Sequence, residues 1–230
     1  MKKILLISSF LICTQGISQN IDYAVLNSFL EKHVSEKGLV DYKFISSDEL
    51  NATLNQFIKV TPKQDWTKEE KLSYWINAYN IFTIKLIVDN YPIKSIKNIK
   101  QPWDKKFIPI GDELLSLNHI EHEILRKMSE PRMHFAIVCA SYSCPKLQSQ
   151  AFVAEKLDEQ LTKVTKEFLA DKNRNKISAN SIEISKIFDW FSKDFTQNGS
   201  LIDFLNQYSN IHISPNAKKR YKDYNWALNE

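Results

Sequence analysis

The chain has 230 residues, of which 43% are hydrophobic and 12% aromatic, enough for one domain with a substantial core and too much for a disordered protein. With 4 glycines and neither a GxGxxG nor a GxxxxGK[ST] motif, it has no glycine-rich nucleotide loop, and no cofactor is predicted. A formal net charge of +4 from scattered basic residues excludes a nucleic-acid partner, and the one dense basic patch, 218–222 (KKRYK), is interpreted as a solvated C-terminal segment.

The first 18 residues are predicted to be a cleaved secretory signal peptide. A basic start at Lys2 and Lys3 precedes an apolar run at 4–12 that is too short to cross a bilayer, and small residues follow it, with Gln19 as the new N-terminus. The protein is therefore expected to be exported, to the periplasm or the medium. A lipid anchor at Cys13 is the less favoured alternative. No later segment has 18 uncharged apolar residues, so no transmembrane segment is predicted.

Residues 19–230 are expected to form a single helix-rich α+β domain, with a buried central helix packed against a small, mostly antiparallel sheet. No repeat or linker marks a domain boundary. In chain order, the hydrophobic pattern predicts a helix at 21–33, a strand at 40–44, a long helix at 67–90, a hairpin at 107–117, a helix from Asn118, a buried strand at 132–139, a helix at 151–171, a hairpin at 175–185, a helix at 203–208 and a strand at 211–213.

The long helix carries the clearest local signals. Thr67 and Glu70 form a capping-box pattern at its start, and apolar residues on both sides indicate burial, with Trp75 in the core. Asn77 and Asn80 lie at i,i+3 spacing, so they share one flank of this helix. Since a buried amide must find hydrogen-bond partners, these two side chains are expected to bracket a polar group.

Residues 119–144 are the only stretch dense in nucleophiles, bases and acids. Cys139 ends the predicted strand at 132–139 and leads into a small-residue loop, where a rigid scaffold often presents catalytic groups. A thiol there needs a neighbouring imidazole, and His122 is the best candidate by residue type. Glu121 falls on the buried face of the helix from Asn118, which suits an orienting acid, although it also stands at the capping-box position. His134 faces away from Cys139 by strand alternation, so a structural role is expected.

Three other interpretations stay open. Cys139 at the end of an apolar strand can simply be a small buried hydrophobic residue. In an exported protein, Cys139 and Cys144 can close a disulfide across their short loop. His119 and His122 form an HxxH pattern to which His134 and the two cysteines could add ligands, but HExxH is absent and no metal is predicted.

Three motifs and the C-terminal ending together resemble one protein family. Residues 74–80 (YWINAYN), 117–126 (LNHIEHEILR) and 134–145 (HFAIVCASYSCP) resemble, in order, the motifs of the family called domain of unknown function 547. Residues 224–229 (YNWALN) are similar to the usual YDWSLN ending of that family, with two substitutions. The resemblance spans about residues 70–229 and implies an exported bacterial member of a family whose plant relatives carry the domain beside a coiled coil.

The resemblance also directs attention to particular residues. The motif positions present in this chain are Trp75, Asn77, Asn80, Glu121, His122, Arg126, Cys139 and Pro145. Plant members have serine at the position of Cys144, which favours Cys139 as a nucleophile over a disulfide. By analogy, the set of Cys, His, Glu and Asn resembles the chemical inventory of papain-like and transglutaminase-like thiol enzymes.

The sequence therefore predicts a thiol-dependent hydrolase or acyltransferase acting on peptide or amide bonds in the cell envelope, with a peptide or protein as substrate. Cys139 would attack the carbonyl carbon and His122 would activate the thiol. Glu121 or one of the asparagines, Asn77 or Asn80, would orient the imidazole or bind the oxyanion. The expected binding residues are Trp75, Asn77, Asn80, Arg126, His134 and Cys144. The alternative is a non-catalytic module that binds a peptide or a partner protein, in which these polar residues form a structural network.

Overall fold

The computed structural model describes residues 21–230, so the predicted signal peptide, Cys13 and the cleavage point before Gln19 lie outside the described residues. The helix-rich α+β class predicted from the sequence is confirmed. The α-helices are α1 (Ala24–His33), α2 (Ser47–Lys59), α3 (Lys68–Val88), α4 (Leu157–Ala170), α5 (Ile187–Trp190), α6 (Ser192–Phe195) and α7 (Leu201–Tyr208). No helix within the described residues has both the length and the apolar composition needed to cross a membrane.

Helix α3 is the buried centre of the fold, as its sequence pattern predicts. Its N-terminus has the predicted capping box, in which the Glu70 backbone N–H donates to Thr67 Oγ1 (3.1 Å) and the Thr67 N–H donates to Glu70 Oε2 (2.7 Å). Every residue from Leu72 to Ile84 is buried. Around α3 lie α2, the helical turns Tyr42–Phe44 and Ala154–Lys156, and a π-helical segment, His119–Leu125.

The strands are divided between two small sheets. β1 (Ile108–Ile110) and β2 (Glu113–Leu115) form the first predicted hairpin, which turns at Gly111 with a φ of +61°. β3 (Lys176–Ile177) and β4 (Ser181–Ile184) form the second. β5 (Lys218–Tyr221) adds to β4 in parallel, giving the strand order β3-β4-β5.

The predicted strands at 132–139, 211–213 and 40–44 are wrong. Pro131–Phe135 is a 3-10 helix that begins at a proline, and the Glu130 carboxylate caps it by accepting the Arg132 N–H (3.2 Å). The residues that follow it, 136–140, have no strand pairing, and all of them except the half-buried Cys139 are buried. A continuous apolar run indicates that a segment is buried, but it has no periodicity that would distinguish a strand from a helical turn. Residues 40–44 contain only a bridge at Val40 and a helical turn, and the strand expected at 211–213 is absent from the described structure, where β5 forms later.

The helix predicted from Asn118 is present as the π-helix His119–Leu125, followed by a 3-10 turn, Arg126–Met128. The predicted capping box is wrong, because neither partner is available. The Asn118 amide donates to Asp104 Oδ1 (2.6 Å), and Glu121 Oε2 accepts the hydroxyl of Tyr79 (3.1 Å). The π geometry is a common feature of functional sites.

Candidate functional site

A cavity of about 210 Å³ collects most of the predicted catalytic residues. Its lining includes Glu121, His122, His134, Cys139 and Cys144. Most of the remaining wall is aromatic, from Tyr79, Trp103, Trp190, Phe191, Tyr224 and Trp226. A concave, mainly apolar cavity with a few polar groups is typical of a small-ligand or active site.

The two predicted asparagines lie outside this lining and bind main chain on either side of the cysteine loop. Asn80 Nδ2 donates to the Ala136 carbonyl (2.9 Å), and Asn80 Oδ1 accepts the Val138 N–H (2.9 Å). Asn77 brackets Phe152 in the same way, at 2.7 and 3.0 Å. The sequence expectation that these amides bracket a polar group is confirmed, because each amide binds one backbone C=O and one backbone N–H. Trp75 is buried on α3 and does not line the cavity.

The loop from Cys139 to Cys144 folds back on itself. Ala140 has a φ of +55°, and the Cys144 N–H donates to the Ser141 carbonyl (3.0 Å). The turn brings the Cys139 N–H within 3.1 Å of the Cys144 sulfur. Both thiols are free, so the disulfide considered from the sequence is not formed in this structure.

The Cys144 sulfur accepts three hydrogen bonds. Besides the Cys139 N–H, the hydroxyls of Ser141 and Tyr224 lie 3.2 Å from it. Burial raises the pKa of the Cys144 thiol, but side-chain hydrogen bonds from the Cys139 thiol and from the hydroxyls of Ser141 and Tyr224 outweigh burial and lower this pKa to about 6. Donors that converge on one sulfur stabilise its thiolate form, so Cys144 is the cysteine of the pair that carries negative charge near neutral pH.

Cys139 has the opposite character. Its sulfur lies 3.4 Å from the Ser141 hydroxyl and 3.5 Å from that of Tyr224. The hydrogen bond with the Cys144 thiol, together with burial, raises the pKa of Cys139 well above its ordinary value. Cys139 is the more exposed of the two cysteines, yet it keeps its proton. The two thiols and two hydroxyls thus form one hydrogen-bonded cluster.

His122 lines the cavity but makes no hydrogen bond to either sulfur among residues 21–230. Its Nδ1 lies 2.8 Å from Arg126 Nη1, and because a guanidinium only donates, Nδ1 must be the acceptor. Burial and the Arg126 charge lower the pKa of His122, which favours the neutral ring. The neutral ring then carries its proton on Nε2. In this state His122 offers the cavity a hydrogen-bond donor and no free base.

Asp194 joins Arg126 and His134 in the wall behind His122. Arg126 binds the Asp194 carboxylate with two hydrogen bonds, at 2.6 and 2.9 Å, and His134 Nε2 lies 2.8 Å from the same carboxylate. Burial raises the pKa of Asp194, but the hydrogen bonds from His134 and Arg126 outweigh it and hold that pKa far below its ordinary range. Arg126 thus acts from behind the cavity wall, where it fixes the ring of His122.

Glu121 is the one buried carboxyl group of the cavity lining. Its Oε2 accepts the hydroxyl of Tyr79 at 3.1 Å. Burial raises the pKa of Glu121 to about 7, more than the hydrogen bond from Tyr79 and the charge of Arg126 lower it. A carboxyl group with this pKa exchanges its proton near neutral pH, which suits a general acid or base.

Aromatic side chains form the mouth of the cavity. Trp190 is 45% exposed, and its ring lies 4.8 Å from Tyr224 and 5.8 Å from Trp226 between centroids. Trp103 packs edge-on against Trp226, and Lys97 Nζ lies 4.2 Å above the Trp226 ring. The approach to the thiols is therefore apolar and aromatic, with a cation at its edge.

The sequence interpretation missed three polar groups of this site: Ser141, Tyr224 and Asp194. The first two lie within the motif 134–145 and the ending 224–229, so a signal for them was present. Asp194 lies in no motif, and its role depends on tertiary contacts alone. His119 does not line the cavity, and the described part of the chain contains no group of three or more His, Cys, Asp or Glu side chains placed to hold a metal ion.

A comparison with protein families agrees with the motifs. Residues 63–169 match the model of the family described as "protein of unknown function, DUF547". The matched segment contains α3, the π-helix and the Cys139–Cys144 loop, and Tyr224 and Asp194 lie beyond it. The chain has no match among curated proteins or solved structures. The resemblance to the DUF547 family is therefore confirmed over residues 63–169.

Proposed function

We propose that the protein is a thiol-dependent hydrolase or acyltransferase that forms a thioester at its cysteine pair. The observation that carries this proposal is the Cys144 sulfur, held by three hydrogen-bond donors in a cavity shared with a carboxyl group of pKa about 7. A thiolate and a proton-exchanging acid in one cavity are the two groups that acyl transfer requires.

Cys144 is the nucleophile in this proposal, and Cys139 supplies its backbone N–H. This assignment departs from the sequence expectation, in which His122 activates Cys139. The His122 Nδ1 lone pair is taken by Arg126, whereas the low pKa of Cys144 arises from hydrogen bonds to its own sulfur. In this proposal the hydroxyls of Ser141 and Tyr224 stabilise the thiolate, a role that the sequence interpretation gave to the imidazole of His122.

The reaction balances with the groups present. The Cys144 thiolate attacks the carbonyl carbon of an amide, and the Nε2–H of His122 is the candidate donor to the developing oxyanion. When the C–N bond breaks, protonated Glu121 gives its proton to the leaving amine, which leaves a thioester and a carboxylate. In the second half, that carboxylate takes a proton from water or an acceptor amine, which attacks the thioester and releases the thiolate.

The volume and the lining of the cavity limit the kind of substrate that it can bind. About 210 Å³ with mainly aromatic walls fits one residue-sized acyl or side-chain group, and the aromatic mouth suits an apolar neighbour on the substrate. The proposed substrate is therefore a peptide or amide with an apolar group next to the scissile bond. The proposed compartment is the cell envelope, as expected from the N-terminal segment.

Acylation by p-nitrophenyl acetate tests the proposal. The wild type should release a burst of about one p-nitrophenolate per chain, with an acetyl group located on Cys144 by peptide mass spectrometry. Cys144→Ser should lose the burst, and the matched variant Cys139→Ser should keep it. The absence of a burst in the wild type, or a burst that survives Cys144→Ser and disappears in Cys139→Ser, would contradict the assignment.

The aromatic mouth also favours the alternative from the sequence, a module that binds a peptide or partner without chemistry. Exposed Trp190 and the stacked Trp226 are typical of ligand-binding platforms. A wild type that binds an apolar N-acetyl amino acid amide, with loss of binding in Trp226→Ala, but shows neither burst nor thioester, would replace the enzyme by the binding module.

A further inference from the structure

A second cavity of the described structure lies away from the thiols. It measures about 690 Å³ and is lined by the sheet β3-β4-β5, the end of α4 and the segment that follows α7. It shares no lining residue with the thiol cavity. The proposed acyl chemistry therefore leaves this space unused.

Positive charge dominates its walls. The charged lining residues are Lys166, Lys172, Lys176, Lys218, Arg220 and Glu183. The net charge of these lining residues is +4, which equals the formal net charge of the whole chain. Lys176 pairs with Glu183 at 3.2 Å, and the other four cations have no ion-pair partner among residues 21–230. Unpaired cations around a concavity concentrate positive potential there.

The cavity also has an apolar part. Leu169 and Ile182 are buried side chains in its lining, and Ile211, at its edge, is 43% exposed. A cavity for a bare inorganic ion would not need such an apolar surface. The combination fits a molecule with an apolar skeleton and several negative groups.

The basic segment 218–222 contributes to this arrangement through β5. Lys218 and Arg220 lie two residues apart on the strand, so they share one face, and both line the cavity. Lys219 alternates to the other face and does not line it; its Nζ lies 5.4 Å from the Tyr221 ring centroid. The segment is exposed at 218–220, as expected from the sequence, and it also forms a strand with one cavity-lining face.

We propose that this cavity binds an amphipathic organic anion, a molecule with two or more phosphate, sulfonate or carboxylate groups on an apolar skeleton. The unpaired Lys166, Lys172, Lys218 and Arg220 would bind the anionic groups, while Leu169 and Ile182 would contact the skeleton. The site is independent of the thiol chemistry.

The probe is pyranine, a pyrene that carries three sulfonates, and fluorescence anisotropy with the full chain measures its binding. Lys218→Glu should weaken binding about tenfold, and Lys219→Glu, the same charge reversal one residue away, should change it less than about twofold. Arg220→Gln is a second cavity variant, and circular dichroism verifies the fold of each protein. Raising the salt concentration from about 50 to about 500 mM should weaken wild-type binding.

No binding by the wild type, or equal weakening in Lys218→Glu and Lys219→Glu, would overturn the proposal, because non-specific attraction depends only on net charge. Uncharged 1-hydroxypyrene bound as tightly as pyranine would also overturn it. Competition then identifies the source of the anion. Displacement of pyranine by naphthalene-1,5-disulfonate supports a soluble amphipathic anion, and displacement only by vesicles that contain cardiolipin, a lipid with two phosphates, supports a lipid headgroup at the same site.

Discussion

Replacing Tyr224 with Phe removes one of the three donors to the Cys144 sulfur and keeps the ring. The Tyr224 hydroxyl lies 3.2 Å from that sulfur. A hydrogen bond to a charged group contributes about 1.5–3 kcal/mol, and a pKa change of one corresponds to about 1.4 kcal/mol. The pKa of Cys144, lowered to about 6 in the wild type, should therefore rise by about 1 to 2 in Tyr224→Phe.

The assay is the rate of iodoacetamide alkylation of Cys144 as a function of pH in the otherwise wild-type chain, with the alkylated cysteine located by fragment mass spectrometry. Both thiols are kept, because the side-chain hydrogen bond from Cys139 is one of the contacts that lower the pKa of Cys144. In this series the midpoint for Tyr224→Phe should lie above the midpoint of its parent. Tyr221→Phe is the matched control, because the Tyr221 hydroxyl makes no hydrogen bond within residues 21–230.

Two results would refute this account of the thiol. One is a midpoint that does not change in Tyr224→Phe, or that changes equally in Tyr221→Phe. The other comes from His122→Ala, which should leave the midpoint in place because the imidazole does not contact the sulfur. If that variant loses the low pKa, the thiol is activated by an imidazole, as the sequence interpretation assumed.

Three further predictions concern the core, the buried acid and the N-terminus. Trp75→Ala should lower the free energy of unfolding by about 3–5 kcal/mol in a denaturant titration, because it leaves a cavity in the core beside α3. Since burial raises the pKa of Glu121 from 4.5 to about 7, wild-type stability should fall by about 3 kcal/mol as pH rises through that range, and the stability of Glu121→Gln, measured by denaturant titration at several pH values, should lack this decline. Mass spectrometry of the exported protein should find Gln19 as its first residue, and an intact Met1 would contradict export by signal cleavage.

The parts of the fold that the sequence predicts correctly depend on local chemistry. Helix α3 has a capping box and an apolar pattern within its own residues, and both hairpins turn at residues suited to a tight turn. The segment 132–139 fails this test, because an unbroken apolar run specifies burial and not conformation. What makes its first half helical is Pro131 at the first turn and the Glu130 cap.

The residues of the site also fall into two groups, those that the sequence places close together and those that only the structure brings together. The cysteines, Glu121 and His122 are close in sequence, and motif density alone groups them. The i,i+4 spacing of His122 and Arg126 also indicates a contact, but only the structure gives its consequence, an occupied Nδ1. Tyr224 is 80 residues from Cys144, and no periodicity relates two positions so far apart.

The C-terminal tail gives the site its last components and ties it to the N-terminal helices. The Tyr142 N–H donates to the Ala227 carbonyl (2.7 Å), and Ser141 bridges to Leu228, so the thiol loop is fixed to the segment that carries Tyr224. Directly after Leu228, the Asn229 side chain accepts a hydrogen bond from the hydroxyl of Tyr42 at 2.7 Å. Because the family match ends at 169, it contains both cysteines but not the tyrosine that lowers the pKa of one of them. The smallest unit able to perform the proposed chemistry therefore extends at least to residue 229.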